Sequence, residues 1–243
     1  MLHEIHQDTN LISRDKIELV YLMQEPRFPS ERKKAIILLH GVGSNESDLF
    51  RFADALPENF FVISVRGLFS LGTNRHAWYN VDFSSGKPVI KPHEEALSRK
   101  AIIKFIKQVK ERYQLDEIYL GGFSQGAIMS YSVGLTEPGI VTGIVALSGR
   151  LLPEIKPFVS QHDSLNKLRV FVAHGQQDGT LPIHYAEEAK DYLMTLCVQL
   201  SYHTYDMGHQ INQDVLGELV LWLNNNAVTD KDAEVPENTS IVR

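Results

Sequence analysis

A serine between two glycines is the first feature of this sequence that could carry chemistry. The segment Gly122-Phe123-Ser124-Gln125-Gly126 fits the pattern Gly-x-Ser-x-Gly, follows a strand-like run and precedes a helix-like run. A sharp turn from strand to helix needs small neighbours on both sides, and such a turn presents a serine hydroxyl to a substrate. Because an alcohol is a poor nucleophile at neutral pH, this serine needs a base, a carboxylate to orient the base, and hydrogen-bond donors for an oxyanion.

Two later loops offer the base and the carboxylate, in the chain order serine, aspartate, histidine. Asp178 lies in a glycine-flanked loop after the apolar run Leu168–Ala173, where an ordinary turn or helix-capping aspartate is the alternative interpretation. His209 follows the last strand-like run, Val198–Tyr205, and this position distinguishes it from the other histidines among the ten. Asp206 is too close to His209 in sequence to be the first choice as its partner and is kept as the fallback. The order of these residues predicts a Ser-Asp-His triad.

A glycine-rich loop near the start of the chain offers the oxyanion donors. It contains His40 and Gly41 and follows the apolar run Ala35–Leu39. We expect the backbone here to approach the substrate closely, with the N–H groups of Val42 and of Gln125 holding the oxyanion. A phosphate-binding loop is the alternative, but the sequence has neither Gly-Lys-Ser/Thr nor G-x-G-x-x-G, so a nucleotide site has little support.

Short apolar runs alternate with segments of helical period along most of the chain, which is typical of an α/β fold with a mainly parallel sheet and helices on both faces. Strands are predicted at Ile17–Leu22, Ala35–Leu39, Phe60–Val65, Glu117–Leu120, Ile140–Leu147, Leu168–Ala173 and Val198–Tyr205. Helices are predicted near Asp48–Ala55, His93–Tyr113, Ser124–Leu135, Ile183–Leu196 and Gln213–Leu223. The apolar face of the longest helix is predicted to carry Leu97, Ala101, Phe105, Val109 and Tyr113.

The length and the lack of repeats favour a single domain. The chain has 243 residues and no Pro/Ser-rich linker in its middle, so one domain is predicted over residues 1–243, with a core at about 15–225. Residues 226–243 lose the periodicity and are predicted to be a flexible tail. Residues 67–92 also lack periodicity and are long for a loop, which favours a functional role over the site.

Composition and charge exclude several classes of function. The formal net charge of −6 is mild and argues against nucleic acid as a partner. We find neither an apolar stretch long enough to span a membrane nor a secretory signal, so stable membrane insertion is not expected. Cys197 is the only cysteine, which excludes a disulfide within the chain and makes the cytoplasm the simplest location.

Four motifs together resemble the phospholipase/carboxylesterase family of α/β hydrolases, which includes acyl-protein thioesterases and small bacterial carboxylesterases. They are "LHGVGSNESDL", "GGFSQGAIMS", "AHGQQDGTLP" and "MGHQI", and the similarity spans about residues 15 to 225. The resemblance implies a single-domain α/β-hydrolase fold and a serine hydrolase that needs no cofactor and no metal. It implies roles for Ser124 as nucleophile, His209 as base and Asp178 as the residue that orients the base.

The resemblance also implies how the substrate is bound. The family's oxyanion donors correspond to the backbone of Val42 and Gln125. The segment around Trp78 and Tyr79 resembles the part of the family that borders the acyl pocket, with packing in the core as the alternative role for these two aromatics. Many family members form dimers, so a homodimer is a further expectation.

These observations predict a serine carboxylesterase that hydrolyses small ester or thioester substrates through an acyl-enzyme, with short to medium acyl chains. One alternative is an acyl-protein thioesterase or lysophospholipase that acts on long acyl chains. The other is a non-catalytic protein that keeps the hydrolase fold as a ligand receptor. A peptidase is disfavoured because the chain has no room for the additional domain that usually shapes a peptide site.

Overall fold

Strands and helices alternate through the part of the chain that the computed structural model describes, which comprises residues 17–28, 30–82, 84, 89–160 and 163–225. The strands are β1 (Tyr21–Gln24), β2 (Lys34–Leu39), β3 (Phe60–Val65), β4 (Phe69–Ser70), β5 (His76–Ala77), β6 (Val81–Asp82), β7 (Val89–Ile90), β8 (Glu117–Phe123), β9 (Gly143–Leu147), β10 (Arg169–Gly175) and β11 (Gln199–Tyr205). The α-helices are α1 (Glu46–Phe50), α2 (Pro92–Tyr113), α3 (Gln125–Thr136), α4 (His184–Thr195) and α5 (Gln213–Asn224). Short 3-10 helices lie at Ala53–Ala55, Pro138–Ile140, Pro153–Phe158 and Asp163–Lys167.

Seven of the strands form one central sheet in the order β1-β3-β2-β8-β9-β10-β11. All neighbouring pairs are parallel except β1 with β3, which is antiparallel. Parallel strands are covered on both faces, and residues Ala35 to Leu39 of β2 are accordingly all buried. The prediction of a mainly parallel sheet is confirmed.

The helices cover the sheet in two layers, because alternate residues of each strand point to opposite faces. On one face, Ile37 and Leu120 belong to a cluster that includes residues of α2, α3 and α4, such as Phe105. On the other face, Ile36 and Tyr119 belong to a cluster that includes residues of α1 and α5. The carboxyl ends of β2, β8, β9 and β10 therefore meet at one edge of a rigid, doubly covered sheet, which is where such folds bind ligands.

Several details differ from the predictions made from the sequence; the strand predicted at Ile140–Leu147, for example, begins at Gly143. The first strand begins at Tyr21 rather than at Ile17, because its pairing starts opposite Val65, the last residue of β3. Leu97 is 54 % exposed although it was predicted to lie on the apolar face of α2. An α-helix has 3.6 residues per turn, so a strict spacing of four drifts by about 40° per step around the helix. The buried positions instead follow a mixed spacing of three and four, at Ser98, Ile102, Phe105, Ile106 and Val109.

The long segment predicted as a loop over residues 67–92 contains two small hairpins within its described residues. Strand β4 pairs with β5, and β6 pairs with β7. The predicted tail at 226–243 and the start of the predicted core, residues 15 and 16, lie outside the described residues. No α-helix in the described part of the chain is long and apolar enough to cross a bilayer.

Candidate active site

The turn between β8 and α3 holds Ser124 in a strained backbone conformation. Its φ of 54° and ψ of −117° lie in a region that residues other than glycine rarely adopt. A Cβ atom on Gly126 would lie 1.8 Å from the carbonyl oxygen of Leu39, and one on Gly122 would lie 2.3 Å from the carbonyl carbon of Gly126. Both glycines are therefore required by close backbone approach, which is the sharp turn that the sequence motif predicts.

A chain of hydrogen bonds links three side chains at this edge of the sheet. The Oγ of Ser124 lies 3.0 Å from Nε2 of His209, and Nδ1 of His209 lies 2.7 Å from Oδ2 of Asp178. The Asp178 side chain is fully buried, whereas the His209 side chain is 18 % exposed. In this arrangement the imidazole can donate from Nδ1 to the carboxylate and accept the hydroxyl proton at Nε2.

The loop after β10 holds the Asp178 carboxylate in one orientation. Its Oδ1 accepts hydrogen bonds from the backbone N–H groups of Thr180 and Leu181, both at 2.8 Å. The second oxygen is thereby directed at the imidazole. Asp206, the fallback partner, accepts a hydrogen bond from Nε2 of Gln177 at 2.5 Å. The structure thus brings Asp178, and not Asp206, into contact with the histidine.

A second histidine supports the same carboxylate. Nε2 of His174 donates a hydrogen bond to the Leu181 carbonyl at 2.7 Å and lies 3.4 Å from Oδ2 of Asp178. Burial is the main cause that lowers the pKa of His174, and the contact with the Leu181 carbonyl requires a proton on Nε2. The sequence places this residue at the end of a strand, but it contains no signal that the ring contacts the loop around Asp178.

The two expected oxyanion donors lie beside the serine. Gln125 is the first residue of α3, where backbone N–H groups have no partner within the helix and the helix dipole favours negative charge. The loop that carries Val42 is held by a hydrogen bond from Gly43 N–H to the carbonyl of His76 at 2.8 Å and by a bridge between Ser44 and His76. Val42, Gln125 and Ser124 all line one cleft.

His40 and Trp78, two of the predicted substrate-binding residues, are both buried and hydrogen-bonded to backbone groups. His40 is fully buried; its Nδ1 donates to the carbonyl of Gly41, and its Nε2 accepts a hydrogen bond from the Gly67 N–H at 2.9 Å. Trp78 is also fully buried and donates from Nε1 to the His40 carbonyl at 3.0 Å. Gly41 packs against the turn at Ser124, since a Cβ on Gly41 would lie 3.4 Å from Cβ of Ser124. These contacts position the loop.

Tyr79, the fourth predicted substrate-binding residue, lines the cleft. The cleft has a volume of about 230 Å³, and its apolar lining is formed by Val42, Val81, Ile90, Ile128, Leu181 and Pro182. Arg150, Thr180, His184 and Tyr185 add polar groups to the wall. The arrangement can hold an apolar chain with a reactive carbonyl beside the serine. Among the described residues, no group of three His, Cys, Asp or Glu side chains is placed to hold a metal ion.

Sequence reasoning missed the side chain of Gln125 and the residue Arg150. The side-chain amide of Gln125 accepts a hydrogen bond from the Trp78 N–H at 2.8 Å and donates one to the Tyr79 carbonyl at 2.7 Å. These two bonds connect the turn at Ser124 to the segment before β6. No local pattern indicates such a contact between distant residues. Arg150 follows the strand predicted at Ile140–Leu147. Residues just after the central strands of a parallel sheet lie at the edge where such folds bind ligands, so this position could have indicated that Arg150 lines the site.

Removing the Gln125 side-chain amide is expected to destabilise the fold. Both of its partners are backbone groups in a buried setting, and an unpaired buried group costs about 1–3 kcal/mol. Chemical denaturation should therefore show a loss of about 2–6 kcal/mol for Gln125→Met. Gln176→Met is the matched control, because the side chain of this exposed glutamine donates to the Thr204 hydroxyl, at 3.2 Å, and to no buried backbone group among the described residues. Equal stability of the two variants would contradict the conclusion that the Gln125 side chain stabilises the fold through these two hydrogen bonds.

The buried histidines should make folding sensitive to acid. Burial, as the main cause, lowers the pKa of His40 and His174 below the ordinary 6.5 although each makes a backbone hydrogen bond that opposes this shift. The unfolded chain then binds these protons at higher pH than the folded chain does. Stability is therefore complete above about pH 6.5 and is lost as the pH falls below that value.

Thermal unfolding between pH 7 and pH 5 tests this expectation. The free energy of unfolding should fall with pH, with each buried histidine contributing at most about 1.4 kcal/mol per pH unit. His40→Gln should flatten this slope, whereas His93→Gln, which replaces an exposed histidine, should leave it as in the wild type. A slope that is the same in all three proteins would show that His40 takes up its proton equally in both states.

Comparisons with known proteins agree with this architecture. Residues 25–226 match the family model for phospholipases and carboxylesterases. The chain is 28% identical over 214 residues to acyl-protein thioesterase 1 of Kluyveromyces lactis, which covers 79% of this chain and 91% of that protein. It is also similar to a crystal structure of the Bacillus cereus carboxylesterase, with a TM-score of 0.73 and 22% identity, covering 86% of this chain and 94% of the other.

A plant structure shows the same fold. The crystal structure of Zea mays acyl-protein thioesterase 2 superposes with a TM-score of 0.72 at 19% identity and covers 85% of this chain and 98% of the other. The family model covers most of the chain, and the sheet order and the sharp turn at Ser124 agree with it. The protein therefore belongs to the phospholipase/carboxylesterase family of α/β hydrolases and is a serine hydrolase.

Proposed function

We propose that this protein hydrolyses carboxylic esters of short to medium acyl chain length through a Ser124–His209–Asp178 triad. The observation that carries the proposal is the hydrogen-bond chain from Ser124 Oγ to His209 Nε2 (3.0 Å) and from His209 Nδ1 to Asp178 Oδ2 (2.7 Å), beside an apolar cleft. A serine in this setting loses its proton to the imidazole as it attacks a carbonyl, and the carboxylate stabilises the imidazolium that forms.

The reaction proceeds in two steps. Attack by Ser124 Oγ forms a tetrahedral intermediate, whose oxyanion is held by the backbone N–H groups of Val42 and Gln125. His209 then protonates the departing alcohol, and the acyl group stays on the serine. Water, activated by the same histidine, releases the acid and restores the enzyme. Loss of one oxyanion donor in a comparable enzyme costs about 3–4 kcal/mol, so the two backbone groups contribute strongly.

The preference for shorter acyl chains is supported by the size of the cleft. Sites for drug-sized ligands are typically about 300–1,000 Å³, and the cleft beside Ser124 holds about 230 Å³. A long-chain thioesterase or lysophospholipase is the second candidate. It is supported by the names of relatives from Kluyveromyces lactis and Saccharomyces cerevisiae, both acyl-protein thioesterase 1 and both 28% identical to this chain. A homodimer and a cytoplasmic location stay predictions from the sequence.

Hydrolysis of p-nitrophenyl esters from acetyl to palmitoyl distinguishes these candidates. We expect a maximum of kcat/KM at short to medium chains, with no turnover by Ser124→Ala. A maximum at palmitoyl would instead favour the long-chain thioesterase or lysophospholipase. A wild-type protein that hydrolyses no ester and is not labelled by a fluorophosphonate would favour a non-catalytic receptor, since only an activated serine reacts with that probe.

A further inference from the structure

One cation in the cleft has no carboxylate partner in the part of the chain that the structure describes. Arg150 lines the cleft together with Ser124, and no ion pair forms within 4 Å of its guanidinium among the described residues. Arg150, Glu95 and Glu154 all act electrostatically on Tyr79, a residue that also lines the cleft. Of these two carboxylates, Glu95 pairs with Nε of Arg99 at 3.1 Å, and Glu154 lies on the surface. A charge beside a reactive serine is thus left available to a ligand.

The backbone that carries Arg150 is held close to the nucleophile. The carbonyl of Leu147, at the end of β9, accepts a hydrogen bond from Ser124 N–H at 2.9 Å. The chain then passes so close to α3 that a Cβ on Gly149 would lie 2.6 Å from Cβ of Ala127. Arg150 is the next residue, so the sheet edge and the first turn of α3 together determine where its side chain begins.

The side chain is also oriented from the opposite wall. Its guanidinium carbon lies 5.5 Å from the ring centroid of Tyr185, and the Tyr185 ring packs against His184 with the centroids 4.2 Å apart. A guanidinium held over a ring face by a cation–π contact keeps N–H groups that can bind a carboxylate with two hydrogen bonds. Among the described residues, those that line the cleft include no Asp or Glu, so an anion there meets no like charge from this part of the lining.

We propose that Arg150 binds a second, anionic group of the substrate, so that the preferred esters carry a carboxylate in addition to the scissile ester. This inference rests on the proposed esterase function and narrows its substrate class. The apolar wall accommodates a short hydrocarbon segment, and the guanidinium binds the charged group at one end of it. The charge can belong to the acyl part or to the leaving group, and the chemistry of recognition is the same.

Two pairs of substrates distinguish a carboxylate on the acyl part from one on the leaving group. Mono-p-nitrophenyl adipate and p-nitrophenyl hexanoate have the same acyl length and differ by a terminal carboxylate on the acyl side. The second pair, 4-(butyryloxy)benzoate and phenyl butyrate, differs by a carboxylate on the leaving group. The readout is the ratio of kcat/KM for the anionic ester to that for the neutral ester, which cancels differences in overall activity between variants.

Replacing the cation should lower this ratio. For Arg150→Met we expect a fall of roughly 10- to 100-fold in one of the two pairs, mainly through KM, as for loss of a charge-assisted hydrogen bond. Arg150→Lys should retain part of the preference, because it keeps the charge but loses the planar fork. Lys190→Met is the matched control: it removes a cation that lies 5.1 Å from the Tyr202 ring, outside the lining of the cleft.

The pair that responds identifies the side of the ester that carries the charge. A ratio in both pairs that is the same for wild type, Arg150→Met and the control would overturn the inference while leaving the esterase function intact. If wild type hydrolyses none of the four esters, the esterase proposal fails, and an NMR titration with adipate and its neutral diamide decides the binding question. Weaker adipate binding by Arg150→Met alone would support the anion site, and equal binding by both proteins would overturn it.

Discussion

Ser124→Ala is expected to lower kcat for ester hydrolysis by a factor on the order of 10⁶, which is the loss that follows removal of the nucleophile from a comparable triad. The change removes one oxygen atom, the one that lies 3.0 Å from Nε2 of His209. The imidazole, the carboxylate and the backbone oxyanion donors stay in place, so a small residual rate over water should persist. The measurement is steady-state turnover of a p-nitrophenyl ester, with mass spectrometry to detect an acyl-enzyme in the wild type.

Ser148, a serine directly after the neighbouring strand β9, serves as the matched control. Ser148 also has a positive φ, of 49°, follows the end of β9 and is buried, but its Oγ makes no hydrogen bond with the residues that the structure describes. Ser148→Ala should therefore keep wild-type turnover and a similar melting temperature. Undiminished hydrolysis by Ser124→Ala would remove Ser124 from the mechanism, whereas equal losses in both variants would indicate damage to the strained edge of the sheet.

Asp178→Asn is expected to lower kcat by a factor of about 10⁴, as the corresponding change does in a well-studied triad. The asparagine oxygen can still accept the hydrogen bonds from Thr180 and Leu181, which are both 2.8 Å from Oδ1 of Asp178. Its amide nitrogen then faces Nδ1 of His209, so the imidazole must carry its proton on Nε2. A protonated Nε2 cannot accept the proton of Ser124, and the base is lost although the fold is kept.

The rate of this variant should rise at high pH if deprotonated solvent species partly replace the base, while its melting temperature should stay close to that of the wild type. Asp206→Asn is the control, since Asp206 bonds to Gln177 and not to the histidine. Full activity of Asp178→Asn together with a large loss in Asp206→Asn would assign the orienting role to Asp206 instead.

Much of the fold could be predicted because its signals are local. Buried strands such as β2 and β3 are short apolar runs, and both were predicted to within one residue at each end. Gly122 and Gly126 indicated the sharp turn at Ser124, because the backbone segments there approach too closely for any side chain. The order of strands and helices then implied that Ser124, Asp178 and His209 share one edge of the sheet, because parallel strands end on the same side.

Contacts between distant residues could not be predicted in this way. Gln125 bonds to Trp78 across 47 positions, and no local pattern in the sequence indicates that contact. Leu97 shows the same limit on a smaller scale, since its exposure depends on how α2 is rotated against the sheet. The structure also decided that His40 and Trp78 are buried and bonded to backbone groups, whereas Tyr79 lines the cleft.

By itself, the sequence determined the order of the elements, the sharp turn and the candidates for nucleophile, base and orienting carboxylate. These depend on apolar periodicity and on glycine, which act within a few residues of the chain. Only the tertiary structure decided the shape and charge of the cleft, including the place of Arg150 beside Tyr185. A cleft is the space left between packed elements, so its form depends on side-chain packing across the whole domain rather than on any single segment.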